Sequence, residues 1–360
     1  MTETATQQTD SLPLAAGFTP EAWRNLCLEL GAPPFRAKQL WNWIAYHLVD
    51  DWSRMSNIPG ALRKQLAARS LITALKVSER TTAPDGVTKY LLACGDGELI
   101  ESVLIPTQER HTLCVSTQAG CPFGCAFCAS GAAGLVRNLA AGEIVEQVYT
   151  AARDIRIAPN AAPDARPDNI VFMGMGEPLA NYDNTITAIR VLNEPGGLNI
   201  GARRITVSTC GVVPGIRKLS GEGLQIELSV SLHAPDDKLR NELMPVNNLW
   251  PLHELIEACA DYTALTGRII TYEYTLIAGR NDQPHHADAL TRLLRYQQCR
   301  INLIPLSPVP HFTGNAPTAA NCARFQAILT RAGINTTLRN SRGSGADAAC
   351  GQLRLRRRHS

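Results

Sequence analysis

Apolar and polar positions follow two different periods along this chain. Up to about residue 85 the apolar positions recur with helical spacing, and Leu40, Trp43 and Ile44 share one stripe at i, i+3 and i+4. The predicted helices are Glu21–Leu30, Phe35–Leu48 and Pro59–Leu66. The pattern predicts a small helical domain over residues 19–85, preceded by a disordered N-terminus at residues 1–18.

A period of two replaces the helical period between Thr88 and Ile105. Two runs of strand-like residues flank Gly95-Asp96-Gly97, so we expect a β-hairpin that links the domains over residues 86–110. Glu101 interrupts the second run on the same face as Leu99 and Val103. If that face is covered, the carboxylate is partly desolvated, which suits a general base; an exposed edge-strand glutamate fits the pattern equally well.

Strand-like and helix-like segments alternate beyond His111, which is typical of repeated βα units around a parallel sheet. The strand candidates are TLCVST, NIVFMGM, RITVST, IELSVSL, ITYEYTLI, INLIPL and TTLRN, and the helix candidates begin near Ala141, Tyr182, Pro214, Pro251, His285 and Thr318. We therefore predict an α/β fold with a partial (β/α) barrel over residues 111–350. Functional loops are expected at the carboxyl ends of its strands.

Composition and charge narrow the class of protein. With 360 residues, 45% hydrophobic and 19% charged, the chain is in the range of globular proteins. No apolar run reaches the roughly 18 residues of a membrane span, and residues 1–18 contain no Lys or Arg, so we expect a cytoplasmic protein without a secretory signal. A net charge of +3 does not identify a nucleic-acid binder, although the tail at 351–360 is densely basic.

Three of the 11 cysteines are grouped on one segment, Cys121-Pro-Phe-Gly-Cys125-Ala-Phe-Cys128. A reducing compartment makes structural disulfides improbable, which leaves metal ligation, catalysis or burial. Three thiolates on a short loop after a strand can hold three corners of a 4Fe-4S cube and leave one iron open. Zinc is the competing interpretation, but a structural zinc site needs a fourth ligand in paired spacing.

Several segments resemble the RlmN branch of the RlmN/Cfr family of radical S-adenosylmethionine (SAM) adenine methyltransferases. The resemblance extends over nearly the whole chain from about residue 33. It rests on TLCVSTQAGCPFGCAFCASGAAGLVRNLAAGEIVEQV (112–148), FMGMGEPLANYDN (172–184), SLHAPDDKLRNELMPVN (231–247), EYTLIAGRND (273–282) and ACGQL (349–353). It implies the radical SAM fold, a 4Fe-4S cluster on Cys121, Cys125 and Cys128, and two SAM molecules per turnover.

The resemblance also implies a SAM site. Its residues are Gly176, Glu177, Ser208, Ser231, Leu232, His233 and Ser307. Glycines after an apolar strand let a ligand approach the backbone, although a tight βα turn would also explain them. His233 by itself would be interpreted as a structural histidine. At Ser307 the family usually has Asn, and the shorter side chain lacks the amide.

Three further residues receive catalytic roles by resemblance. Cys350 is the residue methylated by a first SAM, Glu101 takes the proton from the ring, and Cys114 attacks the sulfur of Cys350. The product would then leave with a transient Cys114–Cys350 disulfide, which is chemistry compatible with a reducing compartment. By composition alone, each cysteine would be interpreted as a small buried hydrophobe.

The implied reaction is methylation of carbon 2 of an adenosine in 23S rRNA and of the adenosine 3′ to the anticodon in some tRNAs. The implied partners are these RNAs and a reducing electron donor such as flavodoxin. The helical domain and the basic tail are candidate RNA-binding surfaces. Two alternatives stay open: Cfr-like methylation at carbon 8, and a non-enzymatic Fe-S RNA-binding regulator that forms no 5′-deoxyadenosine.

Overall fold

A computed structural model describes residues 12–339, 343, 345, 347, 348 and 351–353. The helices are α1 (Pro20–Glu29), α2 (Phe35–Trp41), α3 (Gly60–Ala67), α4 (Ala129–Ala132), α5 (Ala141–Arg156), α6 (Tyr182–Asn193), α7 (Val213–Ser220), α8 (Asp237–Leu243), α9 (Leu252–Thr266), α10 (Pro284–Leu293) and α11 (Ala319–Arg331). Among these described helices we find none with the length and apolar character of a membrane span.

The strands belong to one large sheet and one small ribbon. They are β1 (Lys76–Thr82), β2 (Thr88–Ala93), β3 (Leu99–Pro106), β4 (His111–Cys114), β5 (Gln118–Gly120), β6 (Leu135–Asn138), β7 (Asn169–Phe172), β8 (Ile205–Thr209), β9 (Glu227–Ser231), β10 (Ile270–Leu276), β11 (Cys299–Pro305) and β12 (Asn335–Leu338). The large sheet has ten strands in the order β1-β2-β3-β4-β7-β8-β9-β10-β11-β12, and β5 pairs with β6.

The large sheet combines antiparallel and parallel halves. Strands β1 to β4 pair antiparallel, whereas β4 and β7 to β12 pair parallel with helices between them. This α/β arrangement is an incomplete barrel, and all the strands and helices predicted after His111 are present. Since parallel strands end at one edge, the loops that follow them lie side by side.

The helical region ends earlier than predicted. Its α1, α2 and α3 agree with the predicted helices, and α2 continues into a π-helical turn at Asn42–Tyr46. The prediction that this region extends to residue 85 is wrong, because β1 begins at Lys76. That strand is an exposed sheet edge whose sequence, KVSERTT, is mostly polar, so it shows no alternation.

Part of the N-terminal segment belongs to the fold. The expectation of disorder over residues 1–18 is wrong for residues 12–18, where Ala15 and Ala16 are buried. The Ala15 N–H donates to the Leu71 carbonyl at 2.8 Å. A Cβ on Gly17 would lie 2.6 Å from the Gly142 nitrogen, so the chain packs closely on α5. Residues 1–11 and 354–360, including most of the basic tail, are outside the described residues.

One hydrophobic core connects the helical region with the barrel. It includes Trp23 of α1, Leu40 of α2 and Val148 of α5. The predicted hairpin is present as β2 and β3, but it is a continuous part of the large sheet because β3 also pairs with β4.

Candidate active site

The three clustered cysteines lie on a loop whose ends are held by the β5–β6 ribbon. Gly120 ends β5 with φ +82°, and a Cβ there would lie 1.9 Å from the Gly134 carbonyl oxygen. Only glycine fits such a position without moving the backbone. The Cys121 N–H then donates to the same carbonyl at 3.0 Å. The two ends of the cysteine loop therefore lie side by side.

The cysteine thiols influence one another. All three are half-buried. The pKa of Cys121 is raised to about 12, mainly by burial. A backbone hydrogen bond from Phe123 opposes this increase, and the charges of Glu177 and Cys128 add to it. Burial also raises the pKa of Cys125, and the neighbouring thiolates add to this. Three thiolates together therefore need a cationic partner, which the iron of a cluster supplies.

The cysteine loop is not arranged around a single ion. Among the described residues, no group of three or more His, Cys, Asp or Glu side chains has the geometry to hold one metal ion. A 4Fe-4S cube does not need such convergence, because each cysteine binds a different iron. The donor set of three soft thiolates fits a cube better than a zinc ion.

The Gly-rich turn after β7 packs against the segment that leads into the cysteine loop. Gly176 has φ +99°, and a Cβ there would lie 2.6 Å from the Gln118 Cβ. A Cβ on Gly174 would lie 2.6 Å from the Val115 carbonyl oxygen. Packing within the protein therefore requires both glycines, as expected if they form a tight βα turn. An approach of SAM to this turn stays a prediction.

Glu177 connects the Gly-rich turn with the end of β8. Its side chain is 3% exposed and accepts hydrogen bonds from the Cys210 N–H at 2.7 Å and the Leu179 N–H at 3.0 Å. Burial raises its pKa, and these backbone hydrogen bonds oppose the increase. In this structure the carboxylate fixes the positions of two loops at the edge of the sheet.

Arg240 of α8 was not singled out from the sequence, yet it holds the ends of two strands. It is fully buried, and its guanidinium donates to the carbonyls of Cys210 at 2.7 Å, Ser231 at 3.1 Å and Leu232 at 3.2 Å. Asn247 Oδ1 accepts a fourth bond at 2.8 Å. Arg240 lies within the segment 231–247 that resembles the family, and this was the signal available in the sequence. The sequence alone does not show that the arginine is buried.

His233 is neutral and its ring is fixed. The residue has φ +56° and its Nδ1 accepts the Thr275 N–H at 2.8 Å, so the ring proton belongs on Nε2. Burial, with Arg240 nearby, lowers its pKa to about 3. The ring meets Phe127 of the cysteine loop edge-to-face at 4.8 Å between centroids. The hydrogen bond at Nδ1 has a structural role, and the contact with Phe127 shows that His233 lies beside the cysteine loop.

The other predicted SAM residues lie at the carboxyl ends of neighbouring strands. Ser208 precedes the last residue of β8, Ser231 ends β9 and Leu232 follows it, and Ser307 follows β11. Leu232 and Ser307 are buried, while the two other serines are half-buried. The fold thus brings these residues to the same edge as the cysteine loop.

Glu101 and Cys114 face the same side of the sheet. Cys114 is opposite Val103 in the antiparallel β3–β4 pair, and Glu101 is two residues before Val103. Glu101 is fully buried on a strand with a neighbour on each side, so the alternative of an exposed edge-strand glutamate does not hold. The Nζ atom of Lys89, which the sequence did not indicate, lies 3.5 Å from Glu101 Oε1.

Cys350 lies outside the described residues, but residues on each side of it in the sequence are described. The Gly351 carbonyl accepts the Ala129 N–H at 2.8 Å, and the Leu353 carbonyl accepts the Ser130 hydroxyl at 2.6 Å. On the other side, the Asp347 carbonyl accepts a hydrogen bond from Lys89 at 3.2 Å. These contacts join the C-terminal segment to the cysteine loop and to β2.

Two family models match this chain. The radical SAM superfamily matches residues 115–290, and the ribosomal RNA large subunit methyltransferase N-terminal domain matches residues 15–72. A probable dual-specificity RNA methyltransferase RlmN from Symbiobacterium thermophilum is 46% identical over 344 residues, which cover 94% of this chain and 91% of the relative. The chain belongs to the RlmN family.

Further RlmN relatives and a solved structure agree with this assignment. The dual-specificity RNA methyltransferase RlmN of Pseudomonas putida is 43% identical over 339 residues, covering 94% of this chain and 88% of that protein. The crystal structure of a radical SAM methyltransferase from Sphaerobacter thermophilus superimposes with a TM-score of 0.91 at 45% identity, covering 96% and 99% of the two chains. Membership of the radical SAM superfamily implies a 4Fe-4S cluster and SAM.

Proposed function

We propose that this protein methylates carbon 2 of a specific adenosine in 23S rRNA and of the adenosine 3′ to the anticodon in some tRNAs. One observation carries the proposal: Glu101 and Cys114 share a buried face of the sheet. A second supports it, because Gly351, which follows Cys350 in the sequence, is hydrogen-bonded to Ala129 directly after the cysteine loop. The names of the RlmN relatives as dual-specificity RNA methyltransferases support the substrate class.

Carbon 2 of adenine is electron-poor and has no lone pair, so it cannot attack the methyl group of SAM directly. When bound, the cluster and SAM supply a carbon radical that abstracts hydrogen from a methyl group. Cys121, Cys125 and Cys128 would hold the cluster. The Gly176–Glu177 turn and the segments at Ser208, Ser231–His233 and Ser307 would contact SAM, since all of them lie at the carboxyl edge of the parallel strands.

The cysteines and the glutamate divide the remaining work. Cys350 takes a methyl group from a first SAM, which makes two SAM molecules per turnover. Carbon-carbon bond formation leaves a radical adduct, which would return one electron to the oxidised cluster as Glu101 accepts the proton from the ring. The Cys114 thiolate then attacks the Cys350 sulfur, so that a sulfur-sulfur bond replaces the sulfur-carbon bond. The released carbon keeps the electron pair of that bond and takes up a proton, and the methylated adenosine departs. A reducing partner such as flavodoxin would supply electrons to the cluster, and a thiol reductant would return the disulfide to thiols by exchange.

The RNA must present the adenine outside its stack, at an unstacking cost of about a few kcal/mol. We assign RNA binding to the helical region and the basic tail. In the sequence, the β2–β3 hairpin lies between the helical region and the barrel. The work would take place in the cytoplasm, where ribosomal and transfer RNAs are modified.

The decisive experiment uses anaerobically reconstituted wild-type protein with SAM, dithionite, and rRNA and tRNA from a strain that lacks this gene. Mass spectrometry of nucleoside digests should show 2-methyladenosine from both RNAs. Appearance of 8-methyladenosine instead would support Cfr-like regiochemistry. Absence of both methylated adenosine and 5′-deoxyadenosine would favour the non-enzymatic RNA-binding alternative.

A further inference from the structure

Lys89 is a buried cation next to the base that we propose. Its side chain is 5% exposed, and its Nζ lies 3.5 Å from Oε1 of the fully buried Glu101. Lys89 of β2 is opposite Val103 of β3, so it faces the same side of the sheet as Glu101. Because Val103 is also opposite Cys114 of β4, the lysine, the glutamate and the cysteine occupy one face across three strands.

The same ammonium group makes a second contact. Lys89 Nζ donates to the Asp347 carbonyl at 3.2 Å. Asp347 is three residues before Cys350 in the sequence. Nearby, the Gly343 N–H donates to Asp85 Oδ2 at 2.9 Å, just before β2 begins. The start of β2 thus holds the C-terminal segment, and Lys89 touches both that segment and Glu101.

Stability alone does not account for a lysine at this position. A buried ion pair costs several kcal/mol of desolvation per ion, and apolar residues of similar volume often serve a fold as well or better. A nearby cation has a chemical consequence instead, because it favours the ionised form of a buried carboxylate. Only an ionised carboxylate can accept a proton from the substrate.

We propose that Lys89 is a positioning residue that couples Glu101 to the C-terminal segment that carries Cys350. Its positive charge lies 3.5 Å from the carboxylate that accepts the ring proton, and its hydrogen bond to Asp347 holds the residues that precede Cys350 in the sequence close to that carboxylate. This inference rests on the function proposed above.

The test is a deuterium isotope effect in Lys89→Met, which keeps an unbranched side chain without the charge. The substrate is an rRNA fragment transcribed with adenosine deuterated at carbon 2. We expect methylation at least tenfold slower than wild type, with a larger isotope effect because proton removal now limits the rate. Iron content and 5′-deoxyadenosine formation with dithionite should stay within twofold of wild type.

Arg80→Met is the matched control, because it removes one positive charge from the neighbouring strand β1 at an exposed ion pair with Asp154. It should resemble wild type in rate and isotope effect. Should Lys89→Met not fold, Lys89→Gln, which keeps a donor for the Asp347 carbonyl, should show the same isotope effect.

Two results would overturn the role of Lys89: an unchanged methylation rate and isotope effect, or equal losses of methylation and 5′-deoxyadenosine, which indicate a structural role. Absence of 2-methyladenosine from the wild-type reaction would instead reject the proposed function itself.

Discussion

The Ala129 N–H donates to the Gly351 carbonyl at 2.8 Å. Ala129 follows the last cysteine of the cluster loop, and Gly351 follows Cys350, so this bond joins two segments that are more than 200 residues apart in the sequence. Gly351 has φ +79°, and a Cβ there would lie 3.0 Å from the Phe127 carbonyl oxygen. The residue after the proposed methyl carrier therefore has to be small for the two loops to meet.

Anaerobically purified protein should contain one 4Fe-4S cluster, because the sequence contains one loop with three closely spaced cysteines. Cys121→Ser should lose most of the iron and sulfide. Cys299→Ser, at the start of β11 and away from that loop, should keep both. Iron and sulfide analysis is the measurement, and a second cluster, or zinc in place of iron, would contradict the assignment.

Cys350→Ala should keep its cluster and form 5′-deoxyadenosine from SAM, at least slowly, while making no methylated adenosine. The reason is that Cys350 is assigned to methyl carriage and not to cluster ligation. Chromatography of the nucleoside products separates the two activities. Full methyl transfer by this variant would show that another group carries the methyl.

Cys114→Ala should accumulate a covalent protein-RNA adduct through Cys350. Loss of a thiol that acts late leaves the earlier bond formation intact, so the intermediate is not resolved. Denaturing gels of protein expressed in cells, with and without ribonuclease, detect the species. The double variant Cys114→Ala/Cys350→Ala is the control, and an adduct that survives in it would rule out this pair of roles.

Glu146 of α5 should make stability depend on pH. It is 1% exposed and accepts hydrogen bonds from Thr73, Ala74 and Leu75. Burial raises its pKa from 4.5 to about 7. The folded protein therefore binds more protons than the unfolded chain between these pH values, and the free energy of unfolding falls as pH rises through that window, by up to about 3 kcal/mol.

Glu146→Gln should remove this part of the pH dependence, since the amide keeps an acceptor without a charge. Urea unfolding at pH 4.5 and pH 8 measures it as the difference between the variant and the wild type. Glu257→Gln, at an exposed ion pair with Arg217, is the control and should show no such difference. If the free energy of unfolding of Glu146→Gln depends on pH as steeply as that of the wild type, the wild-type Glu146 carboxylate stays ionised in the folded protein.

Local patterns were sufficient to predict the barrel. Apolar runs such as NIVFMGM are followed by amphipathic segments such as α6, and these periods persist because both faces of a parallel sheet are covered. The edge strand β1 escaped prediction because its residues are mostly polar and exposed. The short ribbon of β5 and β6 depends on a pairing across the cysteine loop, which no local pattern reveals.

The site was predictable only in part for a similar reason. The spacing of Cys121, Cys125 and Cys128 is a local signal, so it was visible in the sequence. Lys89 was not, because an alternating strand with one lysine usually exposes it to water, and only the pairing with β3 shows that the lysine is buried beside Glu101. Arg240 escaped for the same reason, since its four partners come from three segments that are separate in the sequence.

The close contact between Gly17 and Gly142 limits how this chain can be shortened. A fragment that begins after residue 72 would uncover the face of α5 on which Ala15, Ala16 and Gly17 pack. It would also remove Trp41, whose ring lies against Gly197; a Cβ on that glycine would be 2.8 Å from Trp41 Cζ2. Newly exposed apolar surface of this kind promotes aggregation. The smallest fragment suited to expression and crystallisation therefore begins before Leu14. The N-terminal domain at residues 15–72 has to stay attached to the barrel.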